Sequence, residues 1–228
     1  MLGALDLSDP FPIGLSLRVA ILAMLIATPV GLLLAWIQSR FRYRGRALVD
    51  GLILLPLVLP PSVIGFYLVM VLGSRSGVIG GPLKAWLGIQ LSFTPAAAVI
   101  ASAVVALPLV AKTAQPALEA VPRDLLRVGS SLGLGPLPLF FRVSLPYAWR
   151  GILAGLVLAF ARAVGEFGAT LMFAGNIEGK TNTMALDIYA SYQAGNDARA
   201  AGYVLILTLS SFAVVVLASV LTPRGGER

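Results

Sequence analysis

Two oppositely charged residues lie inside one of the most apolar stretches of the chain. Arg162 and Glu166, in LAFARAVGEFGAT, are four residues apart, so a helix would project both side chains from one face. Either charge alone near the centre of a bilayer costs on the order of 2.5–3.5 kcal/mol, which favours a position against protein or water. Gly165 and Gly168 flank Glu166 and permit close helix approach. Two interpretations stay open: a pathway or gate in a transporter, and a structural ion pair that fixes helix register.

A second candidate pathway element is the proline-rich run in GLILLPLVLPPSVIGFYLVMVLG. Pro56, Pro60 and Pro61 each lack the N–H that a helix interior requires, and each ring clashes with the preceding turn. The run is therefore predicted to kink or break within a bilayer. Broken backbone at that depth is tolerated where it is buried in protein or lines a water-filled cavity. The prolines thus mark either a translocation pathway or a packing kink without a transport role.

Residues 119–150 form the longest stretch that is too polar, and too broken by Gly and Pro, to cross a membrane. Its first residues favour a helix over 122–132, with Gly133 as the C-terminal stop. The Gly-Pro pair at 135–136 predicts a turn. A second short helix is expected to present an apolar face before Pro146, so the stretch is predicted to fold as two short helices around a bend.

Neither a metal site nor a nucleotide site is expected in this chain. It contains no Cys and no His, which excludes disulfides and the common zinc sites. AGNIEGKT, at residues 174–181, fits a loose phosphate-loop pattern, but such a loop needs a preceding strand and a following helix. Here a membrane span precedes it. The chain is therefore predicted to be no enzyme, to have no catalytic residue and to bind no cofactor itself.

The elements that carry these residues are predicted to be membrane helices. Hydrophobic residues make up 58% of the chain and charged residues 12%, against about 25% charged in a soluble domain. About 20 residues are needed to span a bilayer. Five stretches are long enough and form a single all-α domain over residues 1–228: 11–37, 52–72, 95–114, 151–174 and 201–221. The first lacks basic residues before its apolar run and is predicted to be a span rather than a secretory signal.

The distribution of Lys and Arg predicts the orientation of these spans. Eleven of the 17 fall on one side of the predicted membrane: Arg40, Arg42, Arg44, Arg46, Lys112, Arg123, Arg127, Arg142, Arg150, Arg224 and Arg228. Four fall on the other side: Arg75, Lys84, Lys180 and Arg199. The positive-inside rule places the N-terminus outside, and residues 119–150 and the C-terminus in the cytoplasm. The protein is thus predicted to be a multi-pass inner-membrane (plasma-membrane) protein.

Basic and aromatic residues alternate in RFRYRGR, at residues 40–46. The pattern can be mistaken for a nucleic-acid patch. At the end of a membrane span, it is predicted to anchor the helix to anionic lipid headgroups instead, at about 1 kcal/mol per basic residue. Membrane lipid is therefore an expected partner, and nucleic acid is not. Trp86, in a Gly-rich loop, is expected at headgroup level on the opposite side.

Residues 119–150 resemble the signature loop of membrane permeases in binding-protein-dependent ABC importers. Gly133 is followed by nine residues, Val143, one residue and Leu145-Pro146, which is similar to the family pattern G-x9-[IV]-x-L-P. Where that family has Glu-Ala-Ala, this chain has Arg127-Val128-Gly129. The resemblance implies a type I importer fold and a short helix that fits a cleft on a cytoplasmic ATPase. We call residues 119–150 the coupling loop. The docking residues that it implies are Arg127, Gly129, Gly133, Leu134, Gly135, Val143, Leu145 and Pro146.

Two further runs resemble permeases for molybdate and tungstate. They are LPLVLPP followed by V-x-G, and A-R-x3-E-F-G-A around Glu166. The resemblance implies a homodimer with one pathway, a dimer of cytoplasmic ATPases that use ATP and Mg, and an extracytoplasmic oxyanion-binding protein.

Two other functions stay open. The first is a sulfate or thiosulfate permease of the same class, since sulfate and thiosulfate share the charge and near-tetrahedral shape of molybdate. A secondary transporter would use Arg162 and Glu166 as a proton-coupled site.

Overall fold

The computed structural model describes residue 6 and residues 9–75 and 77–221. Every regular element among them is helical, so the predicted all-α fold is confirmed. The helices are α1 Phe11–Arg40, α2 Arg46–Val58, α3 Pro61–Leu72, α4 Gly80–Leu87, α5 Pro95–Glu119, α6 Arg123–Ser131, α7 Pro136–Leu139, α8 Leu145–Val164, α9 Gly168–Ala174, α10 Met184–Gln193 and α11 Asp197–Leu221; a π-helical turn, Phe140–Ser144, joins α7 to α8. Arg224 and Arg228, used in the charge count, lie outside the described residues.

The centre of the bundle is α5, which packs against α1 and α8. Small residues make these contacts close. A Cβ at Gly31 of α1 would lie 2.6 Å from Val110 Cγ1, and one at Gly151 of α8 would lie 2.8 Å from Ala117 Cβ. A Cβ at Gly155 would overlap the side chain of Thr113. The core around this seam is rich in buried alanine, as expected where membrane helices approach closely: Ala20, Ala23, Ala27, Ala98, Ala106, Ala159 and Ala163.

The predicted span at 52–72 is two helices rather than one kinked helix. α2 and α3 are bent by 110° at Leu59-Pro60. Adjacent prolines explain the break, because Pro61 occupies the first turn of α3 and has no N–H for a bond back into α2. Asp50 of α2 contacts Lys112, which lies near the C-terminal end of α5. α3 ends near the loop that precedes α5, where Ser74 N–H donates to Ser92 Oγ at 2.9 Å.

The bent pair is apolar enough to cross a membrane as one broken span or to enter it as a re-entrant loop. Four other helices among the described residues are long and apolar enough to cross a membrane by themselves. The described residues therefore give four spans, or the predicted five when the bent pair is counted as one span.

The boundaries predicted for the fourth span, 151–174, are wrong at both ends. α7, the π-helical turn and α8 are one helical rod over Pro136–Val164, 29 residues long. The rod starts inside the coupling loop and ends at Val164. The chain then breaks at residues 165–167 before α9 begins at Gly168. Glu166 therefore lies between two helices, rather than on one helix with Arg162.

The loop around Trp86 forms α4, and the Trp86 side chain is 86% exposed. Its position at headgroup level stays a prediction. α5 begins at Pro95, and the Thr94 hydroxyl accepts the Ala97 N–H at 3.4 Å, which satisfies a free donor in the first turn.

Candidate translocation and coupling site

Two helix breaks meet inside the bundle. Pro61 starts α3 after the first break, and Gly168 starts α9 after the second. A Cβ at Gly168 would lie 2.9 Å from Pro61 Cβ and 3.2 Å from the Ser62 backbone nitrogen. A Cβ at Gly65, one turn further along α3, would lie 2.9 Å from the Ala169 Cα. The structure thus brings together the two regions that the sequence marked separately, whereas Pro56 lies within α2 before the bend.

Arg162 and Glu166 form an ion pair across the end of α8. Arg162 Nη1 lies 2.7 Å from Glu166 Oε2, and the side chains are 31% and 1% exposed. The other carboxylate oxygen, Oε1, accepts the Ala169 N–H at 2.8 Å. Glu166 therefore satisfies a free donor in the first turn of α9 and neutralises Arg162. The pair was predicted from helical spacing. It forms although Glu166 has left the helix, because the break turns its side chain back toward α8.

The first helix of the coupling loop ends as its sequence predicts. α6 covers Arg123–Ser131, within the predicted range, and Pro122 is its N-cap residue. Gly133 has φ +82°, a conformation that favours glycine. Gly133 N–H donates to Ser130 O at 3.0 Å and Leu134 N–H donates to Gly129 O at 3.1 Å, the two bonds of a Schellman motif. Gly133 and Leu134 thus hold a fixed turn at the end of α6.

Gly129 fixes how α6 packs on the second half of the coupling loop. It is buried, and a Cβ there would lie 2.5 Å from Leu139 Cδ1 and 3.9 Å from Val143 Cγ2. A side chain at this position would have to displace the Leu139 side chain, because α6 and the rod touch there. Arg127, at the position of the family glutamate, instead points away, and pairs with Asp124 at 3.2 Å on a surface where both side chains are more than three-quarters exposed.

The second half of the coupling loop is not a short helix. Gly135 precedes α7, and the π-helical turn continues directly into α8. Leu145 N–H donates to Phe140 O, five residues back. This wider turn accommodates Pro146, which has no N–H for the regular ladder, so the helix passes through Leu145-Pro146 without ending. The prediction of a second short helix is therefore wrong, because this segment is the start of the rod over Pro136–Val164.

A polar network at one end of α2 and α5 escaped the sequence analysis. Asp50 Oδ1 accepts bonds from Lys112 Nζ and, at 2.9 Å, from Gln38 Nε2. Gln38 is 1% exposed and accepts the Tyr43 hydroxyl at 2.6 Å. Arg46 Nη2 lies 3.2 Å from the Glu119 carboxylate at the end of α5. The only sequence signal was the presence of Gln38 and Asp50 close to the ends of apolar runs.

A second charged cluster lies at the other end of the bundle. Arg199 Nη2 contacts Asp187 Oδ2 at 2.8 Å and Asp9 Oδ2 at 3.3 Å. The Tyr203 hydroxyl donates to the Asp9 backbone oxygen at 2.6 Å. These contacts join α10, α11 and the segment before α1. Spacing alone gave no signal for them, because the partners are up to 194 residues apart.

The segment that matched a loose phosphate-loop pattern follows helix α9 rather than a strand. The Thr181 hydroxyl donates to Gly175 O at 3.0 Å and accepts the Ile177 N–H at 2.9 Å. The loop is thus closed on itself through the side chain that a phosphate loop would direct to its ligand.

Comparison with known proteins places this architecture in a family. The sequence-family model named binding-protein-dependent transport system inner membrane component matches residues 27–225 of this chain. The molybdenum transport system permease protein ModB of Haemophilus influenzae is 41% identical over 213 residues, covering 93% of each chain. ModB of Escherichia coli strain K12 is 40% identical, covering 90% of this chain and 89% of that protein. The putative permease YvgM of Bacillus subtilis is 39% identical, covering 88% of both.

Solved structures share the fold at low sequence identity. A permease chain of a bacterial alginate ABC transporter, solved in complex with a periplasmic protein bound to an alginate pentasaccharide, superposes with a TM-score of 0.73. It is 17% identical, and the match covers 96% of this chain and 80% of that one. A chain of the MetNI methionine ABC transporter in an inward-facing conformation gives a TM-score of 0.60 at 17% identity, covering 93% of both. The fold is therefore that of a type I ABC importer permease, and the chain belongs to the family of binding-protein-dependent transport system inner membrane components.

Proposed function

We propose that this chain is the permease subunit of an ATP-driven importer for molybdate and tungstate. The observation that carries the proposal is the 41% identity to a molybdenum transport permease over 93% of both chains. The two runs that resemble molybdate permeases lie at the two helix breaks, at Pro60-Pro61 and at Glu166. The structural contact between these breaks supports a shared role in the pathway.

The substrate path proposed here passes the helix breaks. The Arg162 side chain is about one-third exposed while its partner Glu166 is buried. A partly exposed guanidinium attracts an oxyanion, and its pairing with Glu166 keeps that attraction weak. Weak binding suits a permeating ion, which must also be able to leave.

The permease is proposed to work as a homodimer with the pathway at the interface. α2 buries one residue, Ile53, among the positions of its 13-residue helix. Leu52, Leu55 and Val58 are 67%, 46% and 77% exposed. Apolar side chains can face lipid, but the bent α2–α3 pair also holds the break that we place in the pathway. A second copy that packs on this pair would enclose the path.

The coupling loop is proposed to dock on a cytoplasmic ATPase that binds ATP and Mg. The support is mechanical. The rod over Pro136–Val164 starts next to α6 and ends two residues before Glu166, so a displacement at the docking end reaches the break directly. At 1.5 Å per residue, its 29 residues span roughly 43 Å. ATP binding and hydrolysis would thereby switch the pathway between outward and inward access.

This role fits the orientation expected from the charge distribution. The coupling loop and the C-terminus lie in the cytoplasm, and the N-terminus lies outside, where a binding protein would deliver the oxyanion. With the bent pair counted as one span, the chain would cross the membrane five times, and an odd number of crossings is consistent with termini on opposite sides.

The proposal is tested by uptake into proteoliposomes that contain the permease, its ATPase and its binding protein. Molybdate, tungstate and sulfate are compared with and without internal ATP. We expect uptake of molybdate and tungstate that requires ATP, and little uptake of sulfate. Sulfate uptake under the same conditions would assign the chain to sulfate transport instead. Uptake driven by an ion gradient, without the ATPase, would contradict the coupling mechanism and favour a secondary transporter.

A further inference from the structure

A cavity of about 1100 Å³ opens where three elements meet: the end of α1, the end of α5 and one face of α6. Five arginines line it: Arg40, Arg42, Arg46, Arg123 and Arg127. None of these belongs to the helix breaks of the proposed pathway. The cavity is thus a separate feature of the coupling-loop end of the molecule.

The charges of the cavity are unbalanced. Glu119 is the one acidic residue among those that line it, and it pairs with Arg46 at 3.2 Å. Arg127 pairs with Asp124 at 3.2 Å, but both side chains are highly exposed, so the pair neutralises little. Arg40, Arg42 and Arg123 form no ion pair within the described part of the chain. Three unpaired guanidinium groups around one cavity favour an anionic occupant.

The cavity also has an apolar side, formed by Trp36, Leu139 and Phe140. The Trp36 and Phe140 rings lie 5.6 Å apart. Arg40 and Glu119 are the last residues of α1 and α5, both of which are long enough to span a membrane. The cavity therefore lies where two spans leave the bilayer, at the level at which Trp and Arg contact lipid headgroups. An occupant with a charged head and an apolar tail matches both of its sides.

We propose that this cavity binds the phosphate headgroup of an anionic phospholipid. Arg40 and Arg42 contact the phosphate from the end of α1, and Arg123 contacts it from α6. Arg123, Leu126, Arg127 and Ser130 share one face of α6, and that face lines the cavity. The lipid would thus join the end of α1 to the helix that we place against the ATPase. Its binding does not depend on the identity of the transported oxyanion.

A defined site and a diffuse basic anchor make different predictions for Arg44. Arg44 belongs to the same basic segment as Arg40 and Arg42 and is exposed, but it does not line the cavity. A diffuse attraction to an anionic membrane would weaken about equally with the loss of any of these arginines. A site weakens only when a lining arginine is lost. Arg44→Gln is therefore the matched control.

The test uses the permease purified in detergent with its ATPase. Phosphatidylglycerol or phosphatidylcholine is titrated in, and the lipids retained per permease are counted by native mass spectrometry. We expect retention of phosphatidylglycerol over phosphatidylcholine, a loss of about tenfold or more in apparent affinity for R40Q/R123Q, and wild-type retention for R44Q.

Three results would overturn the proposal. They are unchanged retention by R40Q/R123Q, an equal loss with R44Q, and complete displacement of the lipid by millimolar inorganic phosphate, which would assign the cavity to a soluble phosphate. If R40Q/R123Q does not copurify with the ATPase, R40Q/R42Q replaces it, because both of those residues lie outside α6. The same three results then decide the outcome.

Discussion

Pro61 and Gly168 lie against each other at the point where two broken helices meet. A Cβ at position 168 would come within 2.9 Å of Pro61 Cβ and 3.2 Å of the Ser62 backbone nitrogen. The backbone of α3 cannot move aside as a flexible side chain would. The absence of a side chain at Gly168 therefore permits the contact between the two breaks.

Gly168→Val should separate α3 from α9. Overpacking of this kind costs about 1–3 kcal/mol, so we expect a lower thermal unfolding midpoint for the purified complex and reduced molybdate uptake. Gly14→Val is the control, since a Cβ at Gly14 meets nothing within 4 Å. Equal losses in both variants would show that any added side chain is harmful and that the Pro61 contact is not special.

The Arg162–Glu166 pair should be asymmetric on mutation. Arg162→Gln leaves a carboxylate that is 1% exposed without its counter-charge, at a cost on the order of 3 kcal/mol. Glu166→Gln leaves an arginine that is 31% exposed and can reach water, so we expect near-normal assembly and altered transport. The double variant should recover the stability lost by Arg162→Gln. Yield and thermal midpoint measure stability, and uptake measures transport. Similar stability of the two single variants would contradict this asymmetry.

The turn after α6 should depend on the backbone of Gly133. A β-branched residue at φ +82° is strained by about 1–2 kcal/mol, so Gly133→Val should weaken retention of the ATPase during purification. Gly133→Asn is the matched control, because Asn tolerates a left-handed conformation. A Cβ at this position meets no atom within 4 Å, so a difference between the Val and Asn variants reports backbone strain and not steric overlap within the chain. Full retention by the Val variant would remove this turn from the docking role.

Asp50 should hold the end of α2 against α5. Asp50→Asn removes the ion pair with Lys112 while keeping an oxygen for Gln38, and α2 has only Ile53 buried to compensate. We expect faster hydrogen–deuterium exchange of the α2 amides, with little change in α5. Asp124→Asn provides the control, since its pair with Arg127 lies on an exposed surface. Unchanged exchange in Asp50→Asn would mean that apolar packing alone fixes α2.

Much of the fold followed from local sequence features. Long apolar runs predicted the four helices that can span a membrane and the apolar bent pair, and adjacent prolines predicted the break before Pro61. Gly133 predicted the end of α6, because glycine is favoured at the left-handed position that ends a helix. Each of these features depends on residues close together in the chain.

The errors have a different origin. The helix continues through Pro146 because a π-helical turn makes room for the proline ring. No residue type in FFRVS predicts that turn. Glu166 leaves the helix just before Gly168 packs on Pro61, and that contact joins residues far apart in the chain, so spacing could not predict it. The Asp50–Lys112 contact joins residues 62 apart, so it follows from the packing of α2 on α5 rather than from spacing.

The seam between α5 and α8 repeats along its own axis. Thr113 lies over Gly155 and Ala117 lies over Gly151, so two positions four apart on one helix meet two positions four apart on the other. A slide of one helical turn, about 5.4 Å, would bring Ala117 over Gly155 but Thr113 over Ala159. A Cβ opposite Thr113 would overlap its side chain, as the contact at Gly155 shows. The seam therefore accepts one register, and α8 is expected to move together with α5 rather than to slide along it.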